Sequence, residues 1–321
     1  MVFMNIKGLI SVKKLMALAL VLIALVGVAA AEDIDFDSYT LEELRDMQQR
    51  ISAAISGKQN EVAQPAESVE GAPLRDLFED VELAKLVRDA MGAFSVNDIV
   101  TQDQLDAVTE LRVPGGAMLS SIGGISHLRG LVTLSFGASV ATAYGPERRI
   151  SDPEYASLLC TELPDEIGQL TNLRYLKFCQ TRFERFPDSM RNLVNLESLF
   201  VRGAALKELP DWIGEWTNLK KLEVWQCFVD AVPASIGELV NLTELQLTDT
   251  DITALPDGIC DLPNLRSLKL DYTQMQALPD RIGSLSTLQA LDISYTPIKS
   301  LPASIRDLNL AELSMTGTAI E

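Results

Sequence analysis

The hydrophobic positions of this chain recur with a fixed spacing over most of its length. The stretch LPDEIGQLTNLRYLKF opens one copy at Leu163. Later copies, all but the last 23 residues long, open at Phe186, Leu209, Val232, Leu255, Leu278 and Leu301. Each LxxLxL segment alternates apolar and polar positions, which predicts a short strand. One strand per copy at a constant period predicts stacked coils that share a parallel sheet, an α/β solenoid.

The repeats occupy residues 108–321 and contain about nine strands. The predicted strands begin at Val108, Leu131, Leu173, Leu196, Leu219, Leu242, Leu265, Leu288 and Leu310. The step from the second strand to the third is 42 residues, so the excess of 19 predicts an inserted loop at 138–157. Loops on a rigid scaffold often bind ligands, but solenoid surfaces also tolerate insertions, so its role stays open.

The amino terminus has the order of a targeting segment. Three lysines precede an apolar run from Leu15 to Val28, and small residues follow up to Ala31. This order predicts that 1–31 is a secretory signal peptide cleaved after Ala31. The alternative is an uncleaved membrane anchor. Either way, we expect an exported protein that is secreted, periplasmic or held at the cell surface.

Two helical segments and a linker precede the repeats. In 32–56, Thr40 and Glu43 form a capping box, and apolar residues at helical spacing predict an amphipathic helix. Residues 57–73 are polar with two prolines, which predicts a disordered linker. Residues 74–107 contain two helical patterns. A solenoid needs a unit that covers its open hydrophobic end, so we interpret 74–107 as a helical N-terminal cap.

The composition adds a strong negative charge. The chain has 27 lysines and arginines and 45 aspartates and glutamates, a formal net charge of −18, and removing 1–31, with its three lysines, makes it −21. Such a surface repels nucleic acid and anionic lipid. We therefore expect a basic or neutral partner and no nucleic acid, although acidity also keeps exported proteins soluble.

Patterns for catalysis and for metal binding are missing from the sequence. His127 is the single histidine, and its place between Ile125 and Leu128 predicts a solvent-facing residue on an outer segment. No GxSxG, phosphate loop, HExxH or paired CxxC occurs. Among four cysteines only Cys160 and Cys179 lie near enough to pair, and we expect free thiols. The sequence predicts no enzymatic activity and no cofactor or metal.

Two stretches resemble known families. LFEDVELAKLVRDAMG followed by VTQDQLDAVTEL resembles the helical cap and first strand of bacterial internalin-like leucine-rich repeat proteins. The LPxxIGxLxNLxxLxL units are similar to the 23-residue repeats of plant and animal intracellular leucine-rich repeat proteins. The resemblance covers about 74–321. It implies a leucine-rich repeat horseshoe with a concave parallel sheet, in a surface or secreted binding protein.

The outward-facing strand positions vary, whereas the core columns hardly change. Aromatic and cationic residues gather there in three adjacent copies, and two tyrosines follow later strands. These candidate partner-binding residues are Tyr175, Lys177, Phe200, Arg202, Lys221, Trp225, Tyr272 and Tyr295. Exposed tyrosine, tryptophan and arginine are typical binding anchors. We interpret the cluster as a protein-binding surface on the concave face; the alternative is that these side chains only stack between neighbouring strands.

Two further functions stay open. A structural cell-envelope component would have no discrete ligand, and a carbohydrate-binding array would use Tyr175, Phe200 and Trp225 as stacking platforms. Glu321 lies six residues after Met315, and no polar capping segment follows that residue. An uncapped repeat exposes a strand edge and apolar surface. The resulting hypothesis is that the last repeat pairs with another chain.

Overall fold

A helical cap opens the folded part of the chain. The computed structural model describes residues 68–137 and 156–320. The cap elements are β1 (Ala72–Pro73), α1 (Leu74–Leu77), α2 (Val81–Met91), β2 (Ile99–Val100) and α3 (Gln102–Asp106). Strands β1 and β2 pair antiparallel. Helix α2 begins where the Asp80 carboxylate accepts from the Glu82 amide, and it is capped at its end by Gly92, whose φ of 68° lies in the left-handed region.

A nine-stranded parallel sheet runs through the repeats, and its strands pair in chain order. They are β3 (Glu110–Val113), β4 (Thr133–Phe136), β5 (Tyr175–Cys179), β6 (Ser198–Arg202), β7 (Lys221–Trp225), β8 (Glu244–Gln246), β9 (Ser267–Lys269), β10 (Ala290–Asp292) and β11 (Glu312–Ser314). The predicted α/β solenoid is confirmed. The strands start about two residues after the predicted starts, because the first leucine of each segment, such as Leu173, is buried in the preceding turn.

A short 3-10 helix forms the opposite side of each coil. These helices span Ile125–His127, Asp165–Gln169, Asp188–Asn192, Ile213–Glu215, Ala234–Glu238, Asp257–Asp261, Ile282–Ser284 and Ala303–Asp307. Neighbouring coils approach closely here: a Cβ on Gly168 would lie 2.2 Å from the Ser189 carbonyl oxygen. Gly168 therefore allows its coil to approach the next one this closely.

Side-chain amides connect successive coils. Asn195 Nδ2 donates to the Thr171 carbonyl at 2.9 Å, and Asn218 Nδ2 donates to the Val194 carbonyl at 2.8 Å. Asn172, Asn241 and Asn264 make the same bond to the coil before them. Each of these asparagines thus satisfies a backbone carbonyl of the preceding coil.

The core is a continuous column of leucine and isoleucine, with an aromatic line through its middle. Phe136 stacks on Phe178 with ring centroids 5.2 Å apart, and Phe178 meets Phe183 edge-on at 4.7 Å. Trp216 is fully buried, and its indole nitrogen donates to the Met190 carbonyl at 2.9 Å. Since one coil cannot bury such rings alone, the array stabilises them collectively.

Two predicted boundaries differ from the structure. The predicted linker 57–73 overlaps the cap, because Val69 exchanges hydrogen bonds with Gln102 and β1 pairs with β2. The inserted loop, predicted to end at 157, rejoins the solenoid earlier, since Ser157 is buried and its hydroxyl donates to the Cys179 carbonyl at 2.9 Å. The predicted signal peptide (1–31), the predicted amphipathic helix (32–56), residues 57–67 and most of the predicted loop (138–155) lie outside the described residues.

His127 is more buried than the sequence predicts, and the four cysteines form no disulfide. His127 was expected to face solvent, yet it is half-buried at the joint between the cap and the first coil, edge-on to Phe78 at a centroid distance of 6.3 Å. Burial lowers its pKa, which Glu166 offsets in part. All four cysteines are free, so Cys160 and Cys179 form no bridge in the structure.

Candidate functional site

Six of the eight candidate residues lie together on the open face of β5, β6 and β7. We call this set the β5–β7 patch: Tyr175, Lys177, Phe200, Arg202, Lys221 and Trp225. These three strands have five residues each, whereas β8, β9 and β10 have three. The longer pairing places Lys177 opposite Phe200 and Arg202 opposite Trp225 in register. Each cation is thus adjacent to an aromatic ring of the next coil.

The two cations lie over those rings. Lys177 Nζ is 5.6 Å from the Phe200 ring centroid, and Arg202 Cζ is 4.1 Å from the Trp225 centroid. Cation–π contacts of this geometry stabilise the pair by about 0.5 to 2 kcal/mol, more where water is excluded. The contacts also restrict the rings, so Phe200 and Trp225 are held in place by their own sheet.

Exposure within the β5–β7 patch is uneven. Tyr175 is 48% exposed, but Arg202 is only 8% exposed, so Arg202 supports Trp225 and is not the open anchor that the sequence predicted. The guanidinium carbon lies over the indole ring, which covers part of the guanidinium. Next to Tyr175, a cleft of about 330 Å³ is lined by Arg112, Lys177 and Phe200 among others. This cleft extends the patch toward β3 and β4.

The charges at the β7 edge of the patch are only partly paired. Lys221 Nζ lies 2.7 Å from Glu244 on β8, and this hydrogen bond raises the pKa of Lys221. Glu223, two residues along the same strand, is half-buried. Its pKa is raised by burial and by the nearby Glu244 carboxylate, with Lys221 and Lys269 opposing the effect. The sequence pattern places Glu223 at an outward-facing strand position, but it did not mark this residue as a candidate for partner binding.

Tyr272 and Tyr295 form a separate pair, in the turns after β9 and β10. Their rings stack with centroids 4.4 Å apart and an interplanar angle of 16°. Both have φ of 57°, in the left-handed region that glycine favours. The same turn position is left-handed in Gln180, Gly203, Gln226, Asp249 and Gly317 as well. The glycines in this column were the sequence signal for that backbone geometry.

A chain of polar side chains lies between the patch and the tyrosine pair. Gln246 Nε2 donates to Thr248 Oγ1 at 3.0 Å, and Thr248 Oγ1 donates to Asp271 Oδ1 at 2.8 Å. Burial and the Asp292 carboxylate raise the pKa of Asp271, whereas the Thr248 bond opposes this. These residues fill the same outward columns as the candidates, so their position was readable in the sequence but their mutual pairing was not.

Other site chemistry is limited within 68–137 and 156–320. No group of three histidine, cysteine or acidic side chains is arranged to hold a metal ion in these ranges. None of the helices in the same part of the chain combines the length and apolar character of a membrane span. In those ranges, the open face of the sheet carries charged pairs and aromatic side chains.

The repeats and their sheet define a class of protein. The leucine-rich repeat region model matches residues 149–256 and 256–318, more than half of the chain. The protein belongs to the leucine-rich repeat family. Its cap adds a narrower likeness: residues 54–106 match the model for the N terminus of bacterial adhesion/invasion proteins, so this is an internalin-like repeat protein.

Solved structures share this architecture. An internalin (inlF) from Listeria monocytogenes is 24% identical, with a TM-score of 0.51, over 78% of this chain and 79% of that one. A leucine-rich repeat protein of Leptospira interrogans is 29% identical over 64% of this chain and 54% of its own, with a TM-score of 0.49. Internalin C2 of Listeria monocytogenes is 24% identical over 71% and 100%, with a TM-score of 0.48. No curated protein gave a sequence match.

Proposed function

We propose that this protein is an exported, non-enzymatic binding protein that holds a protein partner on the open face of β5, β6 and β7. The observation that carries the proposal is the pair of cation-backed rings, Phe200 under Lys177 and Trp225 under Arg202. Large aromatic side chains at the centre of a surface, held in fixed rotamers, are typical binding anchors. Protein binding in general also agrees with the leucine-rich repeat family and with the internalin-like cap.

The geometry supports a protein partner better than the two alternatives. A carbohydrate array needs open ring faces, but one face of Phe200 and one of Trp225 already carries a cation. A structural component without a ligand leaves unexplained why half-buried rings, an exposed Tyr175 and a cleft of about 330 Å³ adjoin one another. Mixed aromatic, cationic and polar groups instead resemble the composition of protein interfaces.

The test compares partner capture by the wild-type chain and by Phe200→Ala/Trp225→Ala. Residues 32–321 are immobilised, cell-surface extracts are passed over them, and retained proteins are identified by mass spectrometry. We expect the double variant to lose those proteins that the wild type retains. A matched control, Val194→Ala/Val240→Ala, removes two exposed side chains away from the strands, each 48% exposed. The control should retain the same proteins as the wild type.

Thermal unfolding distinguishes binding from mere stacking. If Phe200 and Trp225 act mainly as anchors, the double variant should keep a melting temperature close to that of the wild type. The rings are half-buried, and the cation–π contact of each is worth about 0.5 to 2 kcal/mol, so the loss of both contacts predicts only a modest fall. A large fall in melting temperature with unchanged capture would show that the cluster stabilises the sheet, and would contradict the proposal.

A further inference from the structure

Glu223 stands at the centre of the open face with aromatic neighbours on two sides. The register pairs it with Phe200 on β6 and with Gln246 on β8. Trp225 lies two residues further along the same strand and therefore on the same face. The adjacent Leu222 and Val224 are fully buried on the core side, which fixes the direction of the Glu223 side chain. Its carboxylate is thus presented among rings on a half-buried surface.

The neighbouring cations are engaged elsewhere. Lys221 Nζ bonds to Glu244 at 2.7 Å, Lys177 lies over Phe200, and Arg202 lies over Trp225. Within residues 68–137 and 156–320, the Glu223 carboxylate makes no hydrogen bond and no ion pair. Two acids further along the sheet, Asp271 and Asp292, differ because each has a hydrogen-bond donor.

Those donors are specific. Asp271 accepts from the Thr248 hydroxyl at 2.8 Å, and Asp292 accepts from the Ser294 amide at 2.9 Å. A half-buried carboxylate without such a donor is costly to the folded state, since it loses water without gaining a partner. Burial and the Glu244 charge raise the pKa of Glu223, which agrees with that cost. Groups that reduce stability on an open surface are often retained for function.

A basic side chain from outside would satisfy this position. Its charge would pair with the Glu223 carboxylate, and its methylene stem would lie against the parts of Phe200 and Trp225 that Lys177 and Arg202 do not cover. Lysine and arginine also gain from adjacent aromatic rings. The formal net charge of −18 attracts a basic partner over longer distances.

We propose that Glu223 is the specificity-determining acceptor for a lysine or arginine side chain of the protein partner, bound between Phe200 and Trp225. This proposal rests on the proposed function of the β5–β7 patch and adds the chemistry of the ligand: a basic peptide segment. Because the charges around Glu223 are already paired, Glu223 is the residue on β7 whose charge an incoming cation would neutralise.

The test uses a fluorescein-labelled hexalysine peptide and measures its Kd by fluorescence anisotropy, with hexaglutamate as the negative probe. Glu223→Gln keeps the shape of the side chain and removes its charge. We expect Kd for hexalysine to rise at least fivefold in this variant. Glu215→Gln removes the same charge from an exposed 3-10 helix away from the strands, and its Kd should change less than twofold.

Three results would overturn the proposal. Equal weakening in Glu223→Gln and Glu215→Gln would show non-specific attraction to an acidic protein. Hexaglutamate bound as tightly as hexalysine would exclude a basic ligand. A clear fall in the melting temperature of Glu223→Gln would assign the carboxylate a structural role, whereas we expect an unchanged or raised value.

The capture experiment separates this failure from failure of the proposed function. If Phe200→Ala/Trp225→Ala loses the partner while Glu223→Gln retains it and still binds hexalysine like the wild type, the binding surface stands and the basic-ligand proposal is wrong. If the double variant retains the partner, the patch itself is refuted, and the ligand proposal falls with it.

Discussion

The joint between the cap and the first coil depends on one carboxylate, which makes Asp80→Ala an informative perturbation. Asp80 Oδ1 accepts from the Glu82 amide at 2.8 Å and caps α2. Asp80 Oδ2 accepts from both the amide and the hydroxyl of Ser120, each at 2.7 Å. One side chain thus connects the start of a helix to a turn 40 residues later.

The magnitude follows from these three bonds. Removal of an N-cap costs about 1 kcal/mol. Each bond from Ser120 adds on the order of 1 kcal/mol, reduced because the carboxylate is largely solvent-accessible. We expect Asp80→Ala to destabilise the cap by about 2 kcal/mol. Ser120→Ala, which removes the hydroxyl bond alone, should cost less than half of that.

The sign of the pH dependence is also fixed. Burial alone would raise the pKa of Asp80, but the hydrogen bonds from Ser120, Glu82 and Leu83 together lower it. A lowered carboxylate pKa contributes stability above the unfolded-state value, and that stability is lost as pH falls through the folded-state value. The difference between wild type and Asp80→Ala should therefore be full at pH 7 and shrink below about pH 4.

Hydrogen exchange of the cap amides, read beside urea unfolding, measures this effect locally, because coils of a repeat array can unfold in separate steps. Asp89→Ala is the control: Asp89 lies in the last turn of α2, and its carboxylate pairs with the neighbouring Arg88. The control should change stability by less than about 0.5 kcal/mol. Exchange in Asp80→Ala equal to the wild type at pH 7 would refute the reasoning.

Three further predictions concern the solenoid. Gly168→Ala should lower the urea midpoint, at a cost of more than about 1 kcal/mol, because its Cβ would meet the Ser189 carbonyl at 2.2 Å; an unchanged midpoint would show that the coils can separate freely. Burial raises the pKa of the Cys179 thiol to about 11, so iodoacetamide at pH 8 should label it only after unfolding. If the last repeat self-associates, the mass measured by light scattering should rise with protein concentration. Leu313 is 41% exposed on this repeat, and Leu313→Lys should keep the measured mass at the monomer value. A wild-type mass that stays at the monomer value at every concentration would contradict self-association.

The sequence predicted those features that a single repeat determines. Leu176 and Phe178 face the core because alternate strand residues point the same way, and every copy repeats that constraint. The asparagine column was predictable for the same reason, since each copy needs a donor for the same turn carbonyl. The outward columns that contain the candidate residues were likewise readable, and the register confirms that Lys177 and Phe200 are neighbours.

Features that depend on contacts between different copies were not readable. The sequence predicted an exposed anchor at Arg202. In the structure, Arg202 lies over the Trp225 ring and is only 8% exposed. The start of the cap was set too late because Pro73 suggested a linker, although a proline at the edge of a two-stranded ribbon loses no ladder bond. His127 lost its expected exposure because Phe78 of the cap covers it.

The contrast between Arg202 and Glu223 sharpens the view of the open face. Both residues are charged and lie in neighbouring coils. The guanidinium of Arg202 contacts the Trp225 ring of its own sheet. The Glu223 carboxylate accepts no hydrogen bond from the described residues. A surface that fixes its rings beforehand loses less entropy on binding, so the Arg202 contact favours affinity. A half-buried carboxylate that lacks a partner favours discrimination between ligands. A ligand with a basic group removes the free-energy cost of that unpaired carboxylate, whereas a ligand without one does not. On the proposed function, the two residues therefore have different roles: Arg202 holds the Trp225 ring in place, and Glu223 selects a basic side chain of the partner.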